Sequence, residues 1–339
     1  MNYDNPLLDM HNPFKGSRMP EHKQLIELGL AAASKAVEKE KFEDTTVEKA
    51  RQKEGIRIKT LGSNLHDSLK DGARGFSDVS HAPEVYKELV EALYGVRTLT
   101  GAQTAVIHAA NRIKQMQMFY LNKLGAARHT QDMRRIRKEY FGRAIGVVKQ
   151  NKKGITLLHN AGQLLRKLPD FESVPTVIIA GLPNVGKTSL LKAITGSEPE
   201  VAIYPFTTRG LMLGYTELGH KRMQFIDTPG LLDRPLAKRN PIERQAIVAL
   251  RLLADLIIYV WDPSETAGYT LEQQASQLQE IRKSFKRPVI EVANKSDIVG
   301  SRPAPEGVLA VSSTEGTGIE QLKVLINGKL KAEPVVKPS

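Results

Sequence analysis

The sequence predicts two parts in series: an all-α N-terminal helical bundle, then an α/β domain of three layers with a mostly parallel sheet. Three observations carry this. Up to about residue 172 the apolar residues recur at helical spacing. Between residues 168 and 175, Pro169, Asp170 and Pro175 mark a linker or domain edge. Beyond it, short β-branched runs alternate with helical stretches, the pattern of strands laid side by side under helices. A chain of 339 residues suffices for two ordinary domains. The expected division is 1–172 for the basic helical domain, 173–330 for the α/β domain and 331–339 for a disordered tail.

In the helical part, residues 22–39 place Leu25, Ile26, Ala33 and Val37 among charges. A helix over 82–94 opens with Pro83 and Glu84, both suited to a first turn. Residues 103–124 lack Pro and Gly, with Val106, Ile107, Ala110, Ile113 and Tyr120 as the apolar stripe. Residues 131–148 repeat the pattern, and 155–168 form a last helix. Long helices with short connections suggest an antiparallel bundle. In the second part the strands expected are 176–180 (TVIIA), 211–218, 223–226, 256–261, 289–292 and 308–311.

Composition excludes several classes of function. There is no cysteine, so disulfides, thiolate zinc sites and cysteine nucleophiles are out. That fits a reducing cytosol, and the expected location is cytoplasmic. The first twenty residues lack the apolar core of a signal peptide, and no run of about 18 apolar residues occurs. The net charge is +12, and residues 112–167 hold all of it: fourteen Lys or Arg against Asp132 and Glu139. Such concentration fits a polyanionic partner, nucleic acid before an acidic membrane surface, or a solvated helical face.

The chemistry begins after the first expected strand. Residues 181–188 (GLPNVGKT) fit G-x-x-x-x-G-K-[ST] between a strand and a helix. Gly181 and Gly186 let the backbone curl so that N–H groups, with those of Asn184, Val185 and Ser189, face one phosphate chain. Lys187 reaches the β- and γ-phosphates, and the Thr188 hydroxyl ligates Mg²⁺. Residues 227–230 (DTPG) follow another strand: Asp227 approaches the magnesium, and Gly230 offers its N–H to the γ-phosphate. Between the two, residues 205–209 (PFTTR) supply a threonine that binds Mg²⁺ only when the γ-phosphate is present, with Thr208 preferred over Thr207.

Residues 294–297 (NKSD) select the base. The Asp297 carboxylate accepts from guanine N1–H and N2–H₂, a donor pair that adenine lacks. The Asn294 amide reaches another edge of the base, and the Lys295 stem lies over its face. Ser312 and Ser313 follow the next strand and can offer a backbone N–H to guanine O6. The elements occur in order, each at an expected strand end, and together they imply GTP and GDP as ligands and GTP hydrolysis as the reaction.

These motifs, together with residues 227–251 (DTPGLLDRPLAKRNPIERQAIVALR) and 262–274 (DPSETAGYTLEQQ), resemble the Nog1 family in the Obg branch of translation-associated GTPases. Residues 134–151 and 164–171 carry the likeness into the helical part. The resemblance implies a role in assembly of the large ribosomal subunit, with precursor rRNA and ribosomal proteins as partners. The basic helices would then neutralise RNA phosphates without reading sequence. Eukaryotic members carry a long C-terminal extension, so the end at Ser339 gives the chain an archaeal look.

Hydrolysis needs an oriented water and neutralised charge on the phosphoryl group. Many small GTPases place a glutamine directly after the DxxG; here Leu231 and Leu232 stand there, and neither can hold a water. Help must come from elsewhere. Asn184 either helps hold a K⁺ ion that acts like an arginine finger, as in related GTPases, or only braces the loop; alternatively the ribosomal particle supplies the missing group. Two further readings stand beside the switch GTPase: a GTP-gated placeholder on rRNA with little catalysis, and a GTPase at an acidic membrane. The lack of a lipidation motif argues against the membrane, and a monomer is expected.

Overall fold

The computed structural model describes residues 11–39, 46–76, 79, 81–171, 174–204, 210–233, 241–298 and 305–332. The chain forms two compact units. One comprises residues 13–82 and 94–167; the other comprises the first twelve residues, 83–93 and 168 onward.

In the first unit, α1 (His22–Glu38), α2 (Thr46–Arg74), α4 (Val96–Gly125), α5 (Thr130–Gln150) and α6 (Lys152–Leu165) pack by apolar stripes. On α2 the stripe is Ile58, Leu61, Leu65 and Leu69, spaced three or four apart and fully buried. It faces α1, α4 and α5, while α4 also packs on α6. The approach of α2 is close at Gly62, where an added Cβ would lie 2.3 Å from the Tyr140 hydroxyl and 2.8 Å from the Gln117 amide. Gln117 is buried but satisfied, donating to the Lys59 carbonyl at 2.6 Å. Buried Glu54 is paired with Arg137 at 2.7 Å and Arg57 at 3.0 Å. Helix α2 is absent from the sequence expectations, because its charges and interior glycines (Gly55, Gly62 and Gly72) dilute the apolar period.

In the second unit a seven-stranded sheet runs β2-β3-β4-β1-β5-β6-β7. The strands are β1 (Thr176–Ala180), β2 (Glu200–Ala202), β3 (Leu211–Leu218), β4 (Lys221–Asp227), β5 (Leu256–Trp261), β6 (Val289–Ala293) and β7 (Leu309–Ala310). From β4 to β7 every pairing is parallel; β3 is antiparallel to both its neighbours. All of β1 and β5 is buried, as strands covered on both faces must be. The helices of this unit are α3 (Glu84–Tyr94), α7 (Lys187–Thr195), α8 (Pro241–Leu253), α9 (Leu271–Phe285) and α10 (Ile319–Ala332). Side chains alternate accordingly. Ile258 and Val260 join a core with Leu190 and Leu191 of α7 and Leu322 and Ile326 of α10. Between them Tyr259 points the other way and donates to the Gln274 carbonyl of α9 at 2.6 Å. Helices therefore cover both faces, the three layers expected.

Two boundaries differ from the expected division. Helix α3 groups with the α/β unit because Tyr86 donates to the Pro169 carbonyl at 2.8 Å and its ring lies 5.8 Å from that of Phe171. The expected tail from 331 is corrected at its start: α10, which begins at Ile319, runs through Lys331 to Ala332. Residues 333–339 lie outside the described residues.

Candidate functional site

Because β4, β1, β5, β6 and β7 are parallel neighbours, their C-terminal ends share one edge of the sheet. The chain leaves β1 and next pairs with it from β4 on one side and β5 on the other, so β1 sits at the switch point where α/β sheets open a crevice. Each predicted motif sits at one of these ends: 181–188 after β1, Asp227 as the last residue of β4 with Gly230 beyond it, 294–297 after β6, and 312–314 after β7. The fold thus brings the loop that begins at Gly181 and the loop that ends at Thr314 to one edge.

At the phosphate end, Gly181 has φ +149°, Asn184 +63° and Gly186 +95°, a left-handed course that turns the loop on itself. Gly186 has no room for a side chain: a Cβ would lie 2.2 Å from the Asn294 amide nitrogen. Helix α7 opens at Lys187, so its first N–H groups and positive dipole end face the loop. The Lys187 ammonium is buried against the Gly181 and Leu182 carbonyls at 3.1 and 2.9 Å and the Asp233 carboxylate at 3.0 Å. Exposed Ser189 and, from the base end, Ser313 line one open cleft of about 520 Å³ with Lys192 and Gly196.

Thr188 donates to Asp227 Oδ2 at 2.7 Å. Asp227 is fully buried, and its Oδ1 has no hydrogen-bond partner. Burial pushes its carboxyl above the usual range, opposed by the Thr188 hydroxyl and the Lys187 charge. A dry carboxylate oxygen beside a hydroxyl is a hard-oxygen pair that a divalent cation satisfies. Among the described residues no cluster of three His, Asp or Glu could hold a metal alone. Two protein ligands completed by water and substrate phosphates suit Mg²⁺. Thr208, the third expected ligand, lies outside the described residues, as does Thr207. Leu231 and Leu232 are buried in the core, so neither faces a water.

At the base end the expected contacts are refined. The Asp297 carboxylate accepts from the Ser312 hydroxyl at 2.6 Å, and that bond, first among several, holds its pKa below the ordinary value. Asn294 donates from Nδ2 to the Val185 carbonyl at 3.0 Å, and its Oδ1 accepts from Ser313 N and Oγ at 3.1 and 2.8 Å. One amide hydrogen remains for a base edge; the rest of the group ties the loop after β1 to the loop after β7. The backbone N–H groups of Ser312 and Ser313, expected to offer a bond to guanine O6, both have partners within the chain. The first goes to the Thr317 carbonyl at 3.0 Å and the second to Asn294, because the loop closes on itself between Ser312 and Gly318.

Two acids carry weight that motif reading did not assign. Asp262 follows β5 and is fully buried. It binds the Lys295 ammonium at 2.7 Å, while Thr266 holds the same ammonium at 2.8 Å. Burial raises its carboxyl, but Lys295, Ser264 and the Ala267 N–H outweigh this and hold it below the ordinary value. Lys295 itself has φ +62°. Asp233 joins Lys187 to Gly230, whose N–H donates to it at 2.8 Å. The signal for Asp262 was a carboxylate directly after a wholly apolar strand; Asp233 had none beyond its place six residues after the strand end.

In the helical unit, Arg134, Arg135, Lys138, Arg143 and Lys149 of α5 are exposed, as are Lys152 and Lys153 at the start of α6. Glu139 is engaged by Tyr120, Lys123 and Arg143. No described helix is long and apolar enough to cross a membrane.

Residues 17–172 match the family described as the NOG1 N-terminal helical domain, and residues 176–295 match the family described as 50S ribosome-binding GTPase. An uncharacterised protein of Methanocaldococcus jannaschii is 41% identical over 74% of this chain and 71% of its own length. Nucleolar GTP-binding protein 1 of Drosophila melanogaster is 31% identical over 79% of this chain and 44% of its own length. The Saccharomyces cerevisiae protein of that name is 30% identical over 78% and 41%. The chain thus spans less than half of these two eukaryotic relatives.

Proposed function

The chain belongs to the Nog1 family and carries a GTPase domain, and on that premise we propose that it is a Mg²⁺-dependent GTP switch in large ribosomal subunit assembly. The observation that carries the reading is the convergence of Lys187, Thr188, Asp227 and Asp297 on one edge of the sheet. Lys187 and the N–H groups at the start of α7 bind the phosphate chain. Thr188 and Asp227, with Thr208, would hold Mg²⁺, which would supply charge neutralisation for phosphoryl transfer. Asp297 accepts from the guanine edge, Asn294 offers its remaining hydrogen, and Lys295 lays its stem over the ring. The exposed cations of α5 and α6 supply an rRNA-phosphate surface. The relatives named nucleolar support a workplace wherever large-subunit precursors are built, rather than a general cytoplasmic one.

A second reading is favoured by the burial of Leu231 and Leu232: a placeholder on rRNA whose own hydrolysis is slow. Turnover measured with and without large ribosomal subunits separates the two. The switch reading expects a rise of at least ~10-fold on adding particles, the scale of one supplied catalytic group. Unchanged turnover with tight GTP-dependent particle binding supports the placeholder instead. Mapped RNA cross-links that avoid residues 112–167 altogether would refute the basic-helix contact.

A further inference from the structure

We propose that Asp233 is a specificity-determining residue that tells GTP from GDP, because its carboxylate holds the two donors that a third phosphate requires. The proposal rests on the reading of residues 181–188 and 227–230 as the phosphate-binding loops. One oxygen of Asp233 lies 3.0 Å from the Lys187 ammonium, and the other accepts the Gly230 N–H at 2.8 Å. These donors come from separate loops, after β1 and after β4, and a phosphoryl group is the ligand that would bridge them. Asp233 bridges them with two oxygens of a single anion. The contact is sheltered: the Asp233 side chain is 14% exposed and that of Lys187 is 6% exposed. Both charges of the pair are thus held largely out of water.

The two donors serve different phosphates. Lys187 spans the β- and γ-positions, whereas Gly230 lies beyond the magnesium ligand Asp227 and serves the γ-position alone. A diphosphate can share Lys187 while Asp233 keeps Gly230. A triphosphate brings an anion to the point that Asp233 occupies, with Asp227 already beside Lys187 and Thr188. Asp233 and the third phosphate compete for the same two donors, and the carboxylate must give up its place. Leu231 and Leu232 are buried on the chain just before it, so the exchange is a swing at Asp233 rather than a loss of the whole turn. Asp233 therefore weakens GTP binding selectively and sets the ratio of the two nucleotide affinities.

The test uses the full chain with Mg²⁺, a fluorescent GDP and a non-hydrolysable GTP analogue, on the wild type, Asp233→Asn and Asp233→Ala. Both variants should bind the analogue roughly tenfold more tightly, the scale of one charge-assisted contact released, with GDP affinity changed less than about twofold. Thermal melting confirms that each variant is folded. Equal changes for both nucleotides would make Asp233 a brace and overturn the proposal. So would unchanged analogue affinity with slower GTP hydrolysis, which would make it a water-positioning group. A wild type that binds neither nucleotide would instead refute the reading of the loops on which the proposal stands.

Discussion

At the base end of the site, each polar side chain that would touch guanine is held by a neighbour that would not. Ser312 holds Asp297, Asp262 holds Lys295, and Val185 with Ser313 holds Asn294. At the phosphate end the ligand-binding groups hold one another: Thr188 bonds Asp227, and Asp233 takes both Lys187 and Gly230. The first arrangement is preorganised and can receive a base without rearranging. The second must exchange partners when phosphate and metal arrive. On the proposed function, base identity would be read by a fixed frame and phosphate number by a movable one, a division that suits a switch.

Gly186 is where the two ends meet, and its replacement should break both. In Gly186→Ala the new Cβ would lie 2.2 Å from the Asn294 amide at a φ of +95°. Guanine-nucleotide affinity should fall by roughly 100-fold or more, from strain and clash together, as read by calorimetry; a fall within threefold would deny the coupling. Asp227→Asn should act on the movable end alone. It should make GTP affinity indifferent to Mg²⁺, a loss of about tenfold or more relative to wild type, while GTP remains preferred over ATP.

Asp262→Asn tests the frame. Freed from its carboxylate, Lys295 should wander, and GTP and GDP affinities should fall together by roughly three- to tenfold, the scale of one charge-assisted bond to a partly exposed lysine. The same group has a pH signature. Its carboxyl is lowered in the fold, so the stability it contributes is complete above its unfolded value of about 4 and is lost as pH falls through the folded value. The melting difference between wild type and Asp262→Asn should therefore shrink on acidification below that point. The smallest effect expected is ionic. Asn184 is exposed in a left-handed turn, which asparagine tolerates for backbone reasons alone. If it also helps hold K⁺, hydrolysis runs faster in KCl than in NaCl, the outcome we expect; equal rates would leave it shaping the loop.

Much of the nucleotide end was legible because its chemistry is local. Strands 176–180, 211–218 and 256–261 match β1, β3 and β5 residue for residue; for β1 and β5 the reason is that a buried β-branched run between polar turns has few other uses. The loop motifs needed only strand ends to stand on. What escaped was relational. Asp262 matters through Lys295, thirty-three residues away, and no spacing rule links a strand end to a lysine on another loop. The Ser312 hydroxyl donates to Asp297 and its N–H to the Thr317 carbonyl, because loop closure decides where an amide points. Helix α2 was missed for a different reason: glycine at Gly62 weakens the helix signal in sequence but allows the close approach to Gln117 and Tyr140 in space. Three-residue β2 is too short to show any period.

The fixed frame is tested most directly by exchanging the atom that reads the base. Asp297→Asn leaves an amide where guanine needs a carboxylate, and its N–H can meet the C2 carbonyl of xanthine. In a direct titration the wild type should bind GTP and reject XTP and ATP. The variant should lose GTP affinity by about 100-fold, the scale of two hydrogen bonds to a charged group, and gain XTP by a comparable factor. A variant that still prefers GTP would contradict the assignment of Asp297 and with it the frame at the base end.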